Sequence, residues 1–80
     1  MVDGLTLKEK VMFLLYATDN NIDKKLYEII EYKNFSYFKK LLNQLHTDRF
    51  LEYKIDGVIV ISPKGVAYAE DLITTKVSPL

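Results

Sequence analysis

The chain has 80 residues, enough for one domain with a single hydrophobic core and too few for two. Hydrophobic residues make up 49% of the chain, so disorder is not expected, and no apolar run approaches the roughly 20 residues that span a bilayer. Eleven basic residues balance eleven acidic ones, and the lack of cysteine excludes disulfides and cysteine-ligated metal.

The first predicted helix covers residues 7–18. Thr6 and Glu9 have the spacing of a capping box, in which the hydroxyl and the carboxylate bind each other's backbone N–H. Five positions form one core-facing stripe: Leu7, Val11, Leu14, Leu15 and Thr18. Met12, Phe13 and Tyr16 are expected to project on the opposite side, so this helix is apolar nearly all round.

A polar loop should separate the first two helices. Asp19, Asn21 and Asp23 alternate as they do at the start of a calcium loop. The glycine and glutamate that such a loop requires are replaced by lysine and isoleucine, so no metal site is expected. The pattern instead predicts a turn, with Asp23 capping a second helix over residues 24–32.

The third predicted helix follows a short turn and begins with Ser36 as its cap. Within residues 36–51, apolar side chains recur with helical spacing at Phe38, Leu41, Leu42 and Leu45. The residues expected to face away from that stripe carry hydroxyl, ammonium and amide groups, which bind phosphate and base edges: Tyr37, Lys39, Lys40, Asn43 and Gln44.

A β-hairpin should come next, with strands at residues 50–55 and 58–62. Asp56-Gly57 favours a two-residue type I′ turn, which would place Ile55 opposite Val58 and Tyr53 opposite Val60. Ser62-Pro63 then predicts the start of a fourth helix that ends at residue 72 or 73. Residues 74–80 lack periodicity and are expected to form a flexible tail.

This order, α-α-α-β-β-α, resembles the winged helix-turn-helix regulators of bacteria, archaea and their viruses, in the class of MarR-like and PadR-like proteins. The resemblance rests on Ser62-Pro63-Lys64-Gly65 and on Ser36, Phe38, Leu41, Leu42, Leu45 and Phe50. It implies a single α+β winged-helix domain over residues 1–80, with its core at about residues 6–73. Arg49 stands where those regulators usually have glycine, so the third helix should end without a left-handed cap.

The same resemblance implies sequence-specific binding of double-stranded DNA by a small transcriptional regulator. Five lysines against two glutamates between residues 24 and 40 make the middle of the chain locally positive. The residues expected to read bases are Tyr37, Lys40 and Asn43, those nearer phosphate are Ser36, Lys39 and Gln44, and Lys54 would contact DNA from the wing.

Two alternatives stay open. The polar face of the third helix could be an ordinary solvated surface, or the domain could be a protein–protein adaptor that does not bind DNA. Zero net charge and six tyrosines favour the adaptor, because tyrosine is enriched at interfaces. An enzyme is not expected, since the sequence has no phosphate loop, nucleophile elbow, zinc motif or cofactor motif, and His46 is a lone histidine at a helix end.

A homodimer is also expected. The outward residues of the first helix and two residues of the fourth would otherwise form an exposed apolar patch, which usually marks an interface. The predicted interface residues are Met12, Phe13, Tyr16, Tyr68 and Leu72. The chain begins without a basic segment typical of secretion, so a cytoplasmic protein, in the nucleoid or in a host cell, is expected.

Overall fold

A computed structural model of the chain describes residues 5–18 and 21–77, apart from the side chains of residues 76 and 77. Its elements are α1 (Leu7–Ala17), α2 (Asp23–Ile30), α3 (Phe35–Thr47), β1 (Leu51–Tyr53), β2 (Ile59–Ile61) and α4 (Pro63–Leu72), which a π-helical segment, Ile73–Val77, extends. The two strands form an antiparallel sheet, which confirms the prediction of an α+β domain. Among the described residues, no helix is long and apolar enough to cross a membrane.

The capping box of α1 is confirmed, because Thr6 and Glu9 each accept the other's backbone N–H through their side chains. The position predicted for Met12 is wrong, since its side chain is 0% exposed and belongs to the core. Helix α4 packs along α1 so closely that a methyl group added at Gly65 would lie 2.9 Å from the Met12 Cε atom. Both apolar faces of α1 are therefore covered within one chain, as expected for a helix that is apolar all round.

The other residues of the predicted dimer surface are also largely covered. Leu72 is buried, at 4% exposure, and so cannot supply an exposed contact. Phe13 and Tyr68 are half-buried. Tyr16 is exposed, but its hydroxyl donates a hydrogen bond to the Glu70 carboxylate at 3.1 Å and so joins α1 to α4. The apolar patch that motivated the dimer prediction is thus mostly an internal contact between two helices.

The hydrophobic core lies between α1, α2, α3 and the hairpin. Its buried members are Val11, Met12, Leu15, Leu26, Phe38, Leu42, Leu45, Leu51 and Ile59. Asn21 is also buried, and its side chain satisfies its polar atoms by bonding Thr18. The carbonyl of Asn21 accepts the backbone N–H of Ile59 at 2.7 Å, so the residue that lies two positions before α2 is tied to β2.

The helix caps predicted for α2 and α3 are wrong. Asp23 is the first residue of α2, and Ile22 precedes it without a side-chain cap. In α3 the cap is Asn34, whose side-chain oxygen accepts the backbone N–H of Tyr37 at 3.0 Å. Asn34 reaches the third N–H of the helix, so α3 begins earlier and Ser36 lies exposed in its first turn.

Helix α3 ends with a left-handed residue, contrary to the prediction. Arg49 has φ = 67°. Its N–H donates to the carbonyl of His46 at 3.0 Å, and the N–H of Phe50 donates to Leu45 at 2.9 Å. This pair of bonds is a Schellman motif, which satisfies carbonyls at the end of a helix. The chain turns away here, so β1 begins at Leu51 instead of the helix continuing to it.

The hairpin has a register one residue away from the predicted one. Tyr53 pairs with Ile59, not with Val60. Gly57, at φ = 86°, is the last residue of a three-residue loop, which the N–H of Lys54 closes on the carbonyl of Val58 at 2.8 Å. A shift of one residue exchanges the two faces of a strand, and it leaves Ile55 fully exposed in the loop.

The predicted start of α4 is confirmed. Ser62 caps the helix by accepting the N–H of Gly65 at 3.1 Å, and Pro63 occupies the first helical position. The prediction of a non-helical segment from residue 74 is wrong as far as residue 77, because Ile73–Val77 extends α4. Residues 78–80 lie outside the described residues.

Candidate functional site

The outer face of α3 carries polar side chains along its length. Ser36, Lys40, Asn43 and Thr47 are exposed and recur every three to four residues, so they form one stripe opposite the core. No aspartate or glutamate lies within α3. The stripe therefore presents hydroxyl, ammonium and amide groups without an acidic side chain among them. Thr47 belongs to it by its spacing from Lys40 and Asn43, a signal that the sequence analysis missed.

Two predicted contact residues lie on one flank of that stripe. Tyr37 is 51% exposed, and its ring lies 5.9 Å from the ring of Tyr32. Gln44 is exposed, but its amide donates to both oxygens of the Asp48 carboxylate at 3.2 Å. Gln44 would therefore have to exchange this contact for one with DNA, whereas Tyr37 presents its ring to solvent.

Lys39 lies on the other flank and forms an ion pair with Asp23, the first residue of α2. A hydrogen bond from Lys39 holds the pKa of the Asp23 carboxyl below its usual value, and the same bond raises the pKa of Lys39. The side chains are 36% and 31% exposed, so water screens the pair substantially. Lys39 is thus directed towards α2, away from the stripe.

The hairpin lies beside this second flank. The edge of the Tyr53 ring contacts the His46 ring, with 5.2 Å between centroids. Burial raises the pKa of the Tyr53 hydroxyl, which also senses the charges of Lys39 and Asp23. Among the described residues this hydroxyl has no hydrogen-bond partner, although the oxygen is buried. A buried donor without a partner is uncommon, because its lost hydration is not replaced.

A shallow, open groove of about 460 Å³ separates the end of α3 from β1. It is lined by His46, Thr47, Arg49, Leu51, Glu52 and Tyr53. The sequence analysis assigned none of these residues to DNA binding, because the groove forms only when β1 folds back along α3. The left-handed Arg49 is the residue that reverses the chain.

Lys54, the predicted wing contact, is exposed at the start of the hairpin loop, where its N–H and carbonyl close the turn. Ile55 follows it and is fully exposed. The residues predicted to contact DNA therefore lie on α3, except Lys54, which lies in the hairpin. Across the described ranges, no group of three or more His, Cys, Asp or Glu side chains could hold a metal ion.

In comparisons with known proteins, no family model, no curated protein and no solved structure matches this chain.

Proposed function

We propose that the protein binds double-stranded DNA sequence-specifically through the exposed face of α3 and acts as a small transcriptional regulator without enzymatic activity. The observation that carries the proposal is the stripe of Ser36, Lys40, Asn43 and Thr47 on a helix that contains no carboxylate. An α-helix fits the major groove of B-DNA, where amide and ammonium groups can bond base edges and phosphates.

Within the α+β class, we propose the winged helix-turn-helix type. Support comes from the short connection between α2 and α3 and from the hairpin that lies beside α3. In such an arrangement α3 would enter the groove and the hairpin loop, with Lys54, would contact the backbone next to it. A regulator of this kind would work in the cytoplasm, in the nucleoid or in a host cell.

The charges near α3 predict weak binding that depends strongly on salt. Lys40 lies on the stripe, but Asp23, Asp48 and Glu52 lie near the helix or the groove beside it. Lysine contacts to phosphate release counterions, so affinity falls steeply as salt rises. With net zero charge overall, the protein has no general attraction to DNA beyond this local surface.

The proposal includes a homodimer, because a two-fold pair would match a palindromic site. Its support now lies at α2, where Ile22, which precedes the helix, and Ile29, within it, are 41% and 48% exposed. Their spacing of seven residues places both on one side of the helix, and we take them as the apolar surface of the dimer. Light scattering should give twice the monomer mass at micromolar concentration, and substituting Ile29 by lysine should return it to the monomer mass.

The test of DNA binding compares variants of the stripe across a salt series with mixed duplex DNA. Lys40→Ala should weaken binding to all sequences alike and lower the slope of log affinity against log salt by about one. Asn43→Ala should instead cost about 1–3 kcal/mol at one base position. Lys10→Ala removes the same charge from α1, which packs on α4 and β2, and should leave binding unchanged.

An adaptor that binds another protein is the second candidate. It is favoured by the aromatic surface in the first turn of α3, where Phe35 is 43% and Tyr37 51% exposed. Aromatic side chains are enriched where proteins contact one another. If the wild-type protein binds no duplex at low salt, and Lys40→Ala and Asn43→Ala do not change this result, α3 is not a recognition helix. The protein is then better described as an adaptor than as a regulator.

A further inference from the structure

The backbone of Arg49 is in a conformation that disfavours arginine. Its φ of 67° lies in the left-handed region, where a side chain with Cβ is strained by about 1–2 kcal/mol. Glycine is the usual residue at this position of a Schellman motif, because it has no Cβ. Strain of this kind persists where the surrounding structure imposes it, and it is concentrated at functional sites.

Among the described residues, no polar partner of the Arg49 side chain offsets that strain. This side chain is exposed, and it forms no hydrogen bond or ion pair with any described residue. Two nearby cations differ in this respect. Lys39 is paired with Asp23, and Lys64 donates to the backbone carbonyl of Asp48 at 2.9 Å. The Arg49 guanidinium therefore keeps its donors available for a ligand.

Two side chains that line the groove with Arg49 can donate hydrogen bonds to a phosphate group. Thr47 and His46 line the same groove and can donate hydrogen bonds, whereas Glu52 contributes the one carboxylate among the lining residues. Thr47 is also the last residue of the polar stripe on α3. A duplex lying on that stripe would continue past Arg49, where a guanidinium can bind phosphate oxygens in a bidentate manner.

We infer that Arg49 binds a backbone phosphate of the duplex and that the groove between α3 and β1 holds that phosphate. This deepens the proposed function and rests on it. On this inference, the guanidinium accounts for the presence of arginine at a position whose backbone conformation suits glycine. Replacing Arg49 with glycine should therefore raise the stability of the protein and lower its affinity for the duplex.

The central experiment measures Arg49→Gly in two assays. Urea unfolding should show a higher midpoint than wild type, because glycine adopts the left-handed conformation without strain. Fluorescence anisotropy with a short mixed-sequence duplex should show affinity lower by about tenfold at low salt, as expected for a lost charge-assisted hydrogen bond. The slope of log affinity against log salt should fall by about one, since one phosphate contact is lost.

Three further variants serve as controls. Arg49→Lys keeps the charge and should retain the salt slope while losing part of the affinity. Glu31→Gly removes the backbone strain at Glu31, which has φ = 59° and is, with Arg49, one of the two non-glycine residues with positive φ among those described. Glu31 precedes the start of α3, whereas Arg49 follows its end, and α3 is about 20 Å long. Glu31→Gly should raise the unfolding midpoint without weakening binding. Glu52→Gln removes the carboxylate of the groove and should tighten binding, because it no longer repels the phosphate.

The outcomes separate this inference from the proposed function. If wild type binds the duplex and Arg49→Gly binds it with the same affinity and salt slope, the inference is overturned and DNA binding by α3 stands. A lower unfolding midpoint for Arg49→Gly also overturns it, because the side chain would then stabilise the helix end. If wild type shows no salt-dependent binding to duplex DNA, both proposals are overturned.

Discussion

The contact between α1 and α4 differs from the side formed by α3 and the hairpin in packing, backbone strain and the pairing of polar groups. At the first, Met12 is completely buried against α4, and Gly65 permits the close approach. At the second, Arg49 has a strained backbone, and the buried Tyr53 hydroxyl has no hydrogen-bond partner among the described residues. Such local conflicts are expected where a surface serves binding as well as folding. The contact between α1 and α4 therefore meets local stability requirements more fully than the side that we propose to bind DNA.

The largest expected effect is at Met12. Met12→Ala should lower the free energy of unfolding by about 2–5 kcal/mol, because it leaves a cavity between α1 and α4. Ile55→Ala is the matched control, since Ile55 is fully exposed in the hairpin loop, and should change it by less than about 0.5 kcal/mol. Urea unfolding measures both. Equal effects would mean that Met12 is not buried.

Substitutions at Gly65 and Gly57 test the comparison between the two regions in a second way. Gly65→Ala should destabilise the protein by about 1–3 kcal/mol or more, because the new Cβ would lie 2.1 Å from the Phe50 carbonyl oxygen and α4 would have to move. Gly57 has open space around it, so Gly57→Ala should cost only the strain of a positive φ, about 1–2 kcal/mol. Thermal unfolding that ranks Gly57→Ala as the more damaging would contradict this packing.

Two buried hydroxyls should respond differently to removal. Tyr53→Phe should leave the free energy of unfolding unchanged or raise it by up to about 1 kcal/mol, because the hydroxyl has no partner to lose in the part of the chain that the structure describes. Ser62→Ala should lower it by about 1 kcal/mol, since Ser62 caps α4 and donates to the carbonyl of Arg49. A large loss for Tyr53→Phe would show that its hydroxyl does form a hydrogen bond.

The smallest effect concerns pH and the Asp23–Lys39 pair. Folding lowers the pKa of Asp23, so the ionised carboxylate stabilises the folded state. This stabilisation is present at pH values above the unfolded-state pKa of 3.8 and is lost as the pH falls through the folded-state pKa. Exposure limits that contribution to about 0–1 kcal/mol. Urea unfolding of wild type and Asp23→Asn should therefore differ at neutral pH and converge in acid. A difference that persists at about pH 2 would assign the effect to another cause.

The elements with local signals were predicted well. The Thr6–Glu9 capping box and the Ser62-Pro63 helix start depend on side chains that bind backbone within one turn, so neighbouring residues specify them. The stripe of α3 is similar: Phe38, Leu42 and Leu45 are buried because their spacing places them on one face. Its complement, the exposed face that carries Lys40 and Asn43, followed from the same periodicity.

The groove was not predicted, because its lining residues, all within residues 46–53, come together only through a backbone conformation that the sequence pattern did not indicate. Arg49 adopts a left-handed conformation that arginine rarely takes, and the strand that follows is thereby folded back against α3. The hairpin register was missed for a related reason. Gly57 could occupy a two-residue or a three-residue loop, and the observed loop places Ile59, not Val60, in the core.

The sequence by itself determined the α+β class, the order of the elements and the polar face of α3, because helical and strand periodicity show which side of each element is apolar. Periodicity does not show which neighbour covers an apolar face. Only the tertiary structure placed α4 over Met12, turned Lys39 towards Asp23 and left Arg49 without a partner among the described residues. These outcomes depend on how elements pack in space, since burial and pairing are properties of the assembled fold.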